Sequence, residues 1–156
     1  MKRKLFSSFV LIAVLLASAV LASSQSRGEY EVYQLVNRER SKARLGSLEW
    51  DDRLAKLARD YSRQMAREGF FGHYDRNGKT VTDRALSARI RDWSTIGENL
   101  FFCEEHPYFV QTAVTGWMRS RTHRENILDR DWTTTGIGIA TARDGSIFVT
   151  QVFTVQ

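Results

Sequence analysis

The sequence predicts an α+β domain in which helices pack on a small antiparallel sheet, and three observations carry that prediction. Helical spacing of apolar residues dominates the first half, one strand-like run sits mid-chain (Thr95–Phe102, T-I-G-E-N-L-F-F), and two β-rich runs close the chain around Arg143-Asp144-Gly145. Helices first and a hairpin last is the order of a layered α+β fold, not of alternating βαβ units.

From Tyr30 to Arg44 the residues Val32, Tyr33, Leu35 and Val36 recur at helical spacing among Glu, Arg and Asn, which marks an amphipathic helix. Gly46 is its expected stop, Leu48–Trp50 a short crossing, and Asp51 the N-cap of the next helix. In that second helix Leu54, Leu57, Ala58, Tyr61 and Met65 form one apolar ladder that ends at Gly69. Phe70, Phe71, Gly72, His73 and Tyr74 follow, then the turn-rich Asp75–Lys79 with its Asn77-Gly78 pair. Thr80–Ile90 reads as a short helix with Val81 and Leu86 inward.

Thr95–Phe102 reads as a mostly buried strand, apolar on both sides after its polar start. Glu98 and Asn99 are out of place in it. A carboxylate entering an apolar strand has to be paired, hydrogen-bonded or bound to a cation, because an unpaired buried charge costs several kcal/mol. Glu98 therefore either serves a site or ties down a loop.

Pro107 suits the first turn of a helix over Tyr108–Arg119. Its stripe Val110, Ala113, Val114 and Trp117 runs into a polar turn carrying His123 and Asn126, pinned beyond by Ile127 and Leu128. Side chains held between core residues in this way are preorganised. The closing strands are Thr134–Ala142 and Ser146–Val155. Gly136 and Gly138 alternate with Ile137 and Ile139, so one face of the first strand is bare, which suits close approach of a helix or ligand.

The start of the chain has a separate purpose. Lys2, Arg3 and Lys4, the apolar run Leu5–Leu16 broken by Ser7 and Ser8, and the small residues Ala17–Ser24 read as a secretory signal peptide over residues 1–22, cut after Ala22, the alternative being an uncleaved anchor. A short tail, 23–29, then leads into a single domain over 30–156, and no transmembrane segment remains after cleavage. The product is exported, to a periplasm or the extracellular medium. Cleavage leaves 134 of 156 residues, and because it takes three of the 23 basic residues and no acidic one, the formal charge falls from +5 to +2. The arginines are scattered along helices with no nucleic-acid motif, so no nucleic-acid partner is expected. Cys103 is the only cysteine, which rules out an internal disulfide and reads as a small buried hydrophobe after Phe101 and Phe102. His106 falls in the polar break Glu104–Pro107 and reads as surface.

Several weak motifs in fixed order carry a resemblance. L-V-N-R-E-R at 35–40, L-E-W-D at 48–51, L-A-x-x-A-R-D-Y at 54–61, G-H at 72–73, G-E-N-L at 97–100, W-M-x-S-x-x-H-R-x-N-I-L at 117–128 and Q-V-F at 151–153 are jointly specific. Together they make the chain resemble the CAP superfamily of cysteine-rich secretory proteins, venom antigen 5 and plant pathogenesis-related proteins, in its short single-domain bacterial form. The resemblance implies a three-layer α-β-α sandwich with a small, mainly antiparallel central sheet. It also implies a cleft lined by two histidines and acidic residues that can hold a divalent cation. Position by position, His73 matches the first family histidine, Glu98 the G-E-N-L glutamate and His123 the second histidine. The second acidic residue, three past the helix tryptophan in eukaryotic members, is Ser120 here. His73, Glu98, Asn99, Ser120, His123 and Asn126 are thus the candidate cleft residues. His73, His123 and Glu98 could hold zinc with water in the open position, though Ser120 adds neither charge nor a strong ligand and no cofactor is required.

The resemblance further implies an exported binding module, without turnover, for a small lipid or other hydrophobic ligand. Phe70, Phe71, Tyr74, Phe101 and Phe102 are compatible with an apolar groove wall. The alternative is a metal-assisted hydrolase or peptidase, with zinc on His73 and His123 and Glu98 as ligand or base. The chain has no H-E-x-x-H, no nucleophile elbow and no cysteine paired with a histidine, so a non-enzymatic role is the expectation. A third reading is a cell-envelope interaction protein that uses its Arg-rich helices on acidic polymers, an attraction made weak by the net charge of the mature chain.

Overall fold

The computed structural model describes residues 27–156; the expected signal peptide and the first part of the tail lie outside the described residues. Helix α1 (27–42) leads into β1 (Glu49–Trp50), α2 (Asp52–Glu68), α3 (Val81–Ser87) and β2 (Thr95–Cys103). Then come α4 (Phe109–Arg119), α5 (Arg121–Leu128), β3 (Thr134–Thr141) and β4 (Ile147–Val155). The strands form one four-stranded sheet in the order β1-β3-β4-β2. Its β3–β4 and β4–β2 pairs are antiparallel and only the two-residue β1 runs parallel to its neighbour. This is the α-β-α sandwich expected from the resemblance.

Strand alternation assigns the two faces. Ile137, Ile139, Val149 and Phe153 point into a core shared with Val32 and Val36 of α1, Val110, Val114 and Trp117 of α4, and Ile127 of α5. On the other face, Val152 meets Leu54, Leu57 and Ala58 of α2 and Ala85 of α3, while Phe148 and Leu100 meet Tyr61 and Met65. Helix α2 can lie this close because Gly136 and Gly138 have no side chain: a Cβ on either would overlap the backbone of Leu54–Ala55 or Ala58–Arg59. The same approach lets the Ser62 hydroxyl donate to the Gly138 carbonyl at 2.9 Å and meet Thr150 Oγ1 at 2.8 Å. Asp51 caps α2 through the amides of Arg53 and Leu54, and Gly69 ends it in the left-handed region at φ 63°.

Several sequence expectations need correction. Helix α1 is already formed at residue 27, where the described residues begin, so Tyr30 is not its start, and Glu29 is fixed there by burial against Arg59 and the Ile139 amide. The reversal after α1 falls on Arg44, at φ 60°, with the Leu45 amide bonded back to the Arg40 carbonyl; Gly46 is not the stop. In α3 Val81 packs inward as expected, but its other inward residues are Arg84 and Ala85 and Leu86 is exposed, with Arg84 turned in to meet Glu98. Strand β2 is an edge strand, so only its centre is buried and Phe102 stays largely exposed. The polar turn expected after Trp117 is helix α5. Pro107 precedes α4 instead of opening it, since Tyr108 is the N-cap.

Candidate functional site

Register places Glu98 opposite Val152, on the α2/α3 face of the sheet, four residues before Phe102 on the same face. Its side chain is only 3% exposed. Two groups satisfy it. Arg84 of α3 donates from Nη2 to Oε2 at 2.5 Å, and His73 places Nδ1 2.9 Å from Oε1. The buried carboxylate that looked anomalous in the sequence is therefore paired on both oxygens.

Local structure brings these groups together. After Gly69 the chain turns across the end of the sheet, and the Tyr61 hydroxyl donates to the Gly72 carbonyl, fixing the residue before His73. Asp75 closes the following turn by accepting the amides of Asn77 at 2.8 Å and Lys79 at 2.9 Å. Those amides, led by that of Lys79, hold its carboxyl below the usual value. A capping box between Thr80 and Asp83 starts α3. Arg84 then lies with its guanidinium 3.3 Å from the centre of the Tyr61 ring. Its Nη1 donates to the carbonyls of His73 at 3.2 Å and Lys79 at 3.0 Å.

Asn99 points to the opposite face, toward α5. Its Nδ2 donates to the His123 carbonyl at 3.1 Å, and its Oδ1 accepts from Asn126 Nδ2 at 2.9 Å. Asn126 also reaches the Glu98 carbonyl at 3.4 Å. These two asparagines tie α5 to the edge strand and so set where His123 stands. Burial first, and the His73 charge second, push the His123 imidazole below its ordinary value. Ser120 is the joint between α4 and α5; its amide bonds back to Gly116 and Trp117, while its side chain caps nothing.

Of the six candidate residues, His73 and Glu98 touch directly, Asn99 bonds to both Asn126 and the His123 carbonyl, and Ser120 makes no side-chain cap to join them. The sequence reading missed Arg84 and Tyr61. The signal was there in principle, since a buried Glu98 calls for a partner and Arg84 is the one cation on the short helix beside it. Among the described residues no three His, Cys, Asp or Glu side chains converge as a metal would require. With both Glu98 oxygens engaged and its charge balanced by Arg84, the residues present do not fit a divalent ion held through Glu98.

Farther along the same face is a hollow of about 310 Å³ with a mixed lining, apolar from Ala66, Phe70, Phe71, Phe102, Ala142 and Phe148 and polar from Asp144 and Ser146 among others. The rings are in tilted contact in series, Phe71 to Phe102 at 5.8 Å and Phe102 to Phe148 at 4.9 Å between centroids. Phe101 points to the other face and packs into the core, and Tyr74 is exposed.

Comparison with known proteins agrees with this architecture. A family profile described as CAP, cysteine-rich secretory protein family, matches residues 33–153. The uncharacterized protein YkwD of Bacillus subtilis (strain 168) is 35% identical over 129 residues, 83% of this chain and 48% of YkwD. The chain thus spans about half the length of that relative. The crystal structure of an extracellular protein containing a SCP domain from Bacillus anthracis str. Ames superposes with a TM-score of 0.73 at 28% identity, over 85% of this chain and 41% of that one. An outer surface protein from Borrelia burgdorferi shares the fold, with a TM-score of 0.76 at 21% identity over 85% of this chain and 95% of its own. No helix among the described residues is long and apolar enough to cross a membrane.

Proposed function

The chain belongs to the CAP family, and from that membership we propose that it is an exported, non-enzymatic module that binds a small hydrophobic ligand. The observation that carries this reading is the aromatic hollow of about 310 Å³ at the Phe102 end of β2, near the lower bound for pockets that take small molecules. Phe71 and Phe102 remain half exposed there, an unfavourable state for large apolar side chains that a ligand would relieve. Glu98 and Phe102 share a strand face four residues apart, about 13 Å along the strand. A chain-like ligand could therefore rest its apolar part on the phenylalanines and its polar end near His73. Export is supported by the basic, apolar and small-residue pattern of residues 1–22 and by relatives described as extracellular or outer-surface proteins.

The metal-assisted hydrolase reading has less support. It needs Glu98 as a free ligand or base, and Arg84 and His73 already occupy that carboxylate. The test of the binding reading is titration of the purified chain with fluorescent fatty acids, together with mass spectrometry of lipid extracted from it. Saturable binding weakened about tenfold by Phe102→Ala is expected. Absence of saturable uptake, with no copurifying lipid, would remove the reading.

A further inference from the structure

Arg84 is a buried cation on this face that neither the sequence reading nor the proposed apolar pocket uses. We infer that it is a built-in cation: its guanidinium takes, against Glu98, the place that the family resemblance gives to a divalent ion, and the cleft works without metal. This does not rest on the hydrophobic-ligand reading.

Four observations bear on it. The Arg84 and Glu98 side chains are 8% and 3% exposed, and they meet at 2.5 Å, so the pair lies out of solvent. A metal would have to expel a guanidinium from a buried pair and leave it uncompensated, which is strongly unfavourable. The same group organises the loop bearing His73, through its bonds to the carbonyls of His73 and Lys79. That is the cross-linking a bound ion would otherwise perform. The guanidinium is flanked by the Tyr61 ring and its Nε is buried without a partner, so the site encloses the arginine on all but its working nitrogens. Finally, Arg84 offsets the formal charge of Glu98, which removes that carboxylate's own attraction for a cation. His73 keeps its Nδ1 on Glu98, which leaves Nε2 as the nitrogen free to meet a ligand.

The test is zinc binding followed by calorimetry on the purified chain and on variants whose folding is checked by circular dichroism. Wild type and Arg84→Lys, which keeps the charge, should show no saturable one-per-chain zinc binding that depends on Glu98. Arg84→Met keeps an apolar stem over Tyr61 and removes the charge. It should gain one zinc per chain, at least about tenfold tighter than wild type, and lose it again when Glu98→Gln is added. Tight one-per-chain zinc binding by wild type that Glu98→Gln abolishes would overturn the inference. So would a folded Arg84→Met variant that binds zinc no better than wild type. Should Arg84→Met fail to fold, the comparison of wild type with Glu98→Gln still decides.

Discussion

Gly138 of β3 runs directly beneath Arg59 of α2, so close that a methyl group at position 138 would overlap the Arg59 amide nitrogen. The obstacle is backbone, which cannot swing aside as a side chain can. Gly138→Ala should therefore push α2 off the sheet and cost more than about 3 kcal/mol. Gly46, where an added methyl group would meet nothing within 4 Å, is the control, and its alanine variant should change stability by no more than about 0.5 kcal/mol. Urea denaturation of both variants checks this; equal midpoints would show that the helix does not need the bare strand face.

Arg59 also holds the start of the described chain. It grips Glu29 with Nε at 2.8 Å and Nη2 at 2.6 Å, and the Ile139 amide donates to the same carboxylate at 3.1 Å. Glu29 is 1% exposed, so removing Arg59 leaves a buried carboxylate without its counterpart, and removing Glu29 leaves the buried Ile139 amide without its acceptor and the partly exposed Arg59 unpaired. Glu29→Ala should cost about 3 kcal/mol. A chain beginning at Tyr30 should be destabilised by a similar amount relative to one beginning at Ser23. Thermal melts of the two truncations would reveal it, and coincident melts would place the domain boundary back at Tyr30.

How much of this could be read from residues alone differs by kind of information. The ladder of α2, its Asp51 and Gly69 ends, the closing hairpin and the purpose of Gly136 and Gly138 all follow from local spacing, and each is found where expected. Glu29 was missed because a lone charge before an amphipathic helix looks like solvated tail, and its partner is 30 residues away. Arg84 was missed for the same reason: in a short helix, periodicity does not distinguish Leu86 from Arg84 as the inward residue. Charge pairing across the fold decides it, and that depends on which strand is at the edge. The sequence did mark Glu98 as needing a partner, and the structure supplies two.

Acid should weaken the N-cap of α2. Burial pushes the Asp51 carboxyl up, but hydrogen bonds from the Arg53 side chain and from the Arg53 and Leu54 amides outweigh it, so the net value lies below the ordinary 3.8. A folded-state value lowered in this way gives stability that is complete above the unfolded value and lost as pH falls through the folded one. The cap contribution should thus be constant from neutral pH down to about 4 and disappear below that. Asp51→Ala should cost about 1 kcal/mol at neutral pH and flatten this acid limb. Urea midpoints measured from neutral to strongly acidic pH test it; an acid limb as steep in the variant as in wild type would assign the loss to other carboxylates.

Asn126 and Asn99 hold α5 against β2, and their bond at 2.9 Å positions the helix turn that carries His123. Asn99 is fully buried, so Asn126→Ala leaves its carbonyl oxygen without a donor and also releases the Glu98 backbone carbonyl. An unsatisfied buried acceptor costs about 1–3 kcal/mol, and that is the expected loss. The local consequence separates this prediction from a general weakening: amide exchange should accelerate in Arg121–Leu128 ahead of α2 and β4, because α5 is short and its N-terminus has no side-chain cap. Hydrogen exchange resolved by residue gives the answer. Uniform acceleration across the domain would mean that the asparagine pair supports the whole sheet and does not specifically place His123.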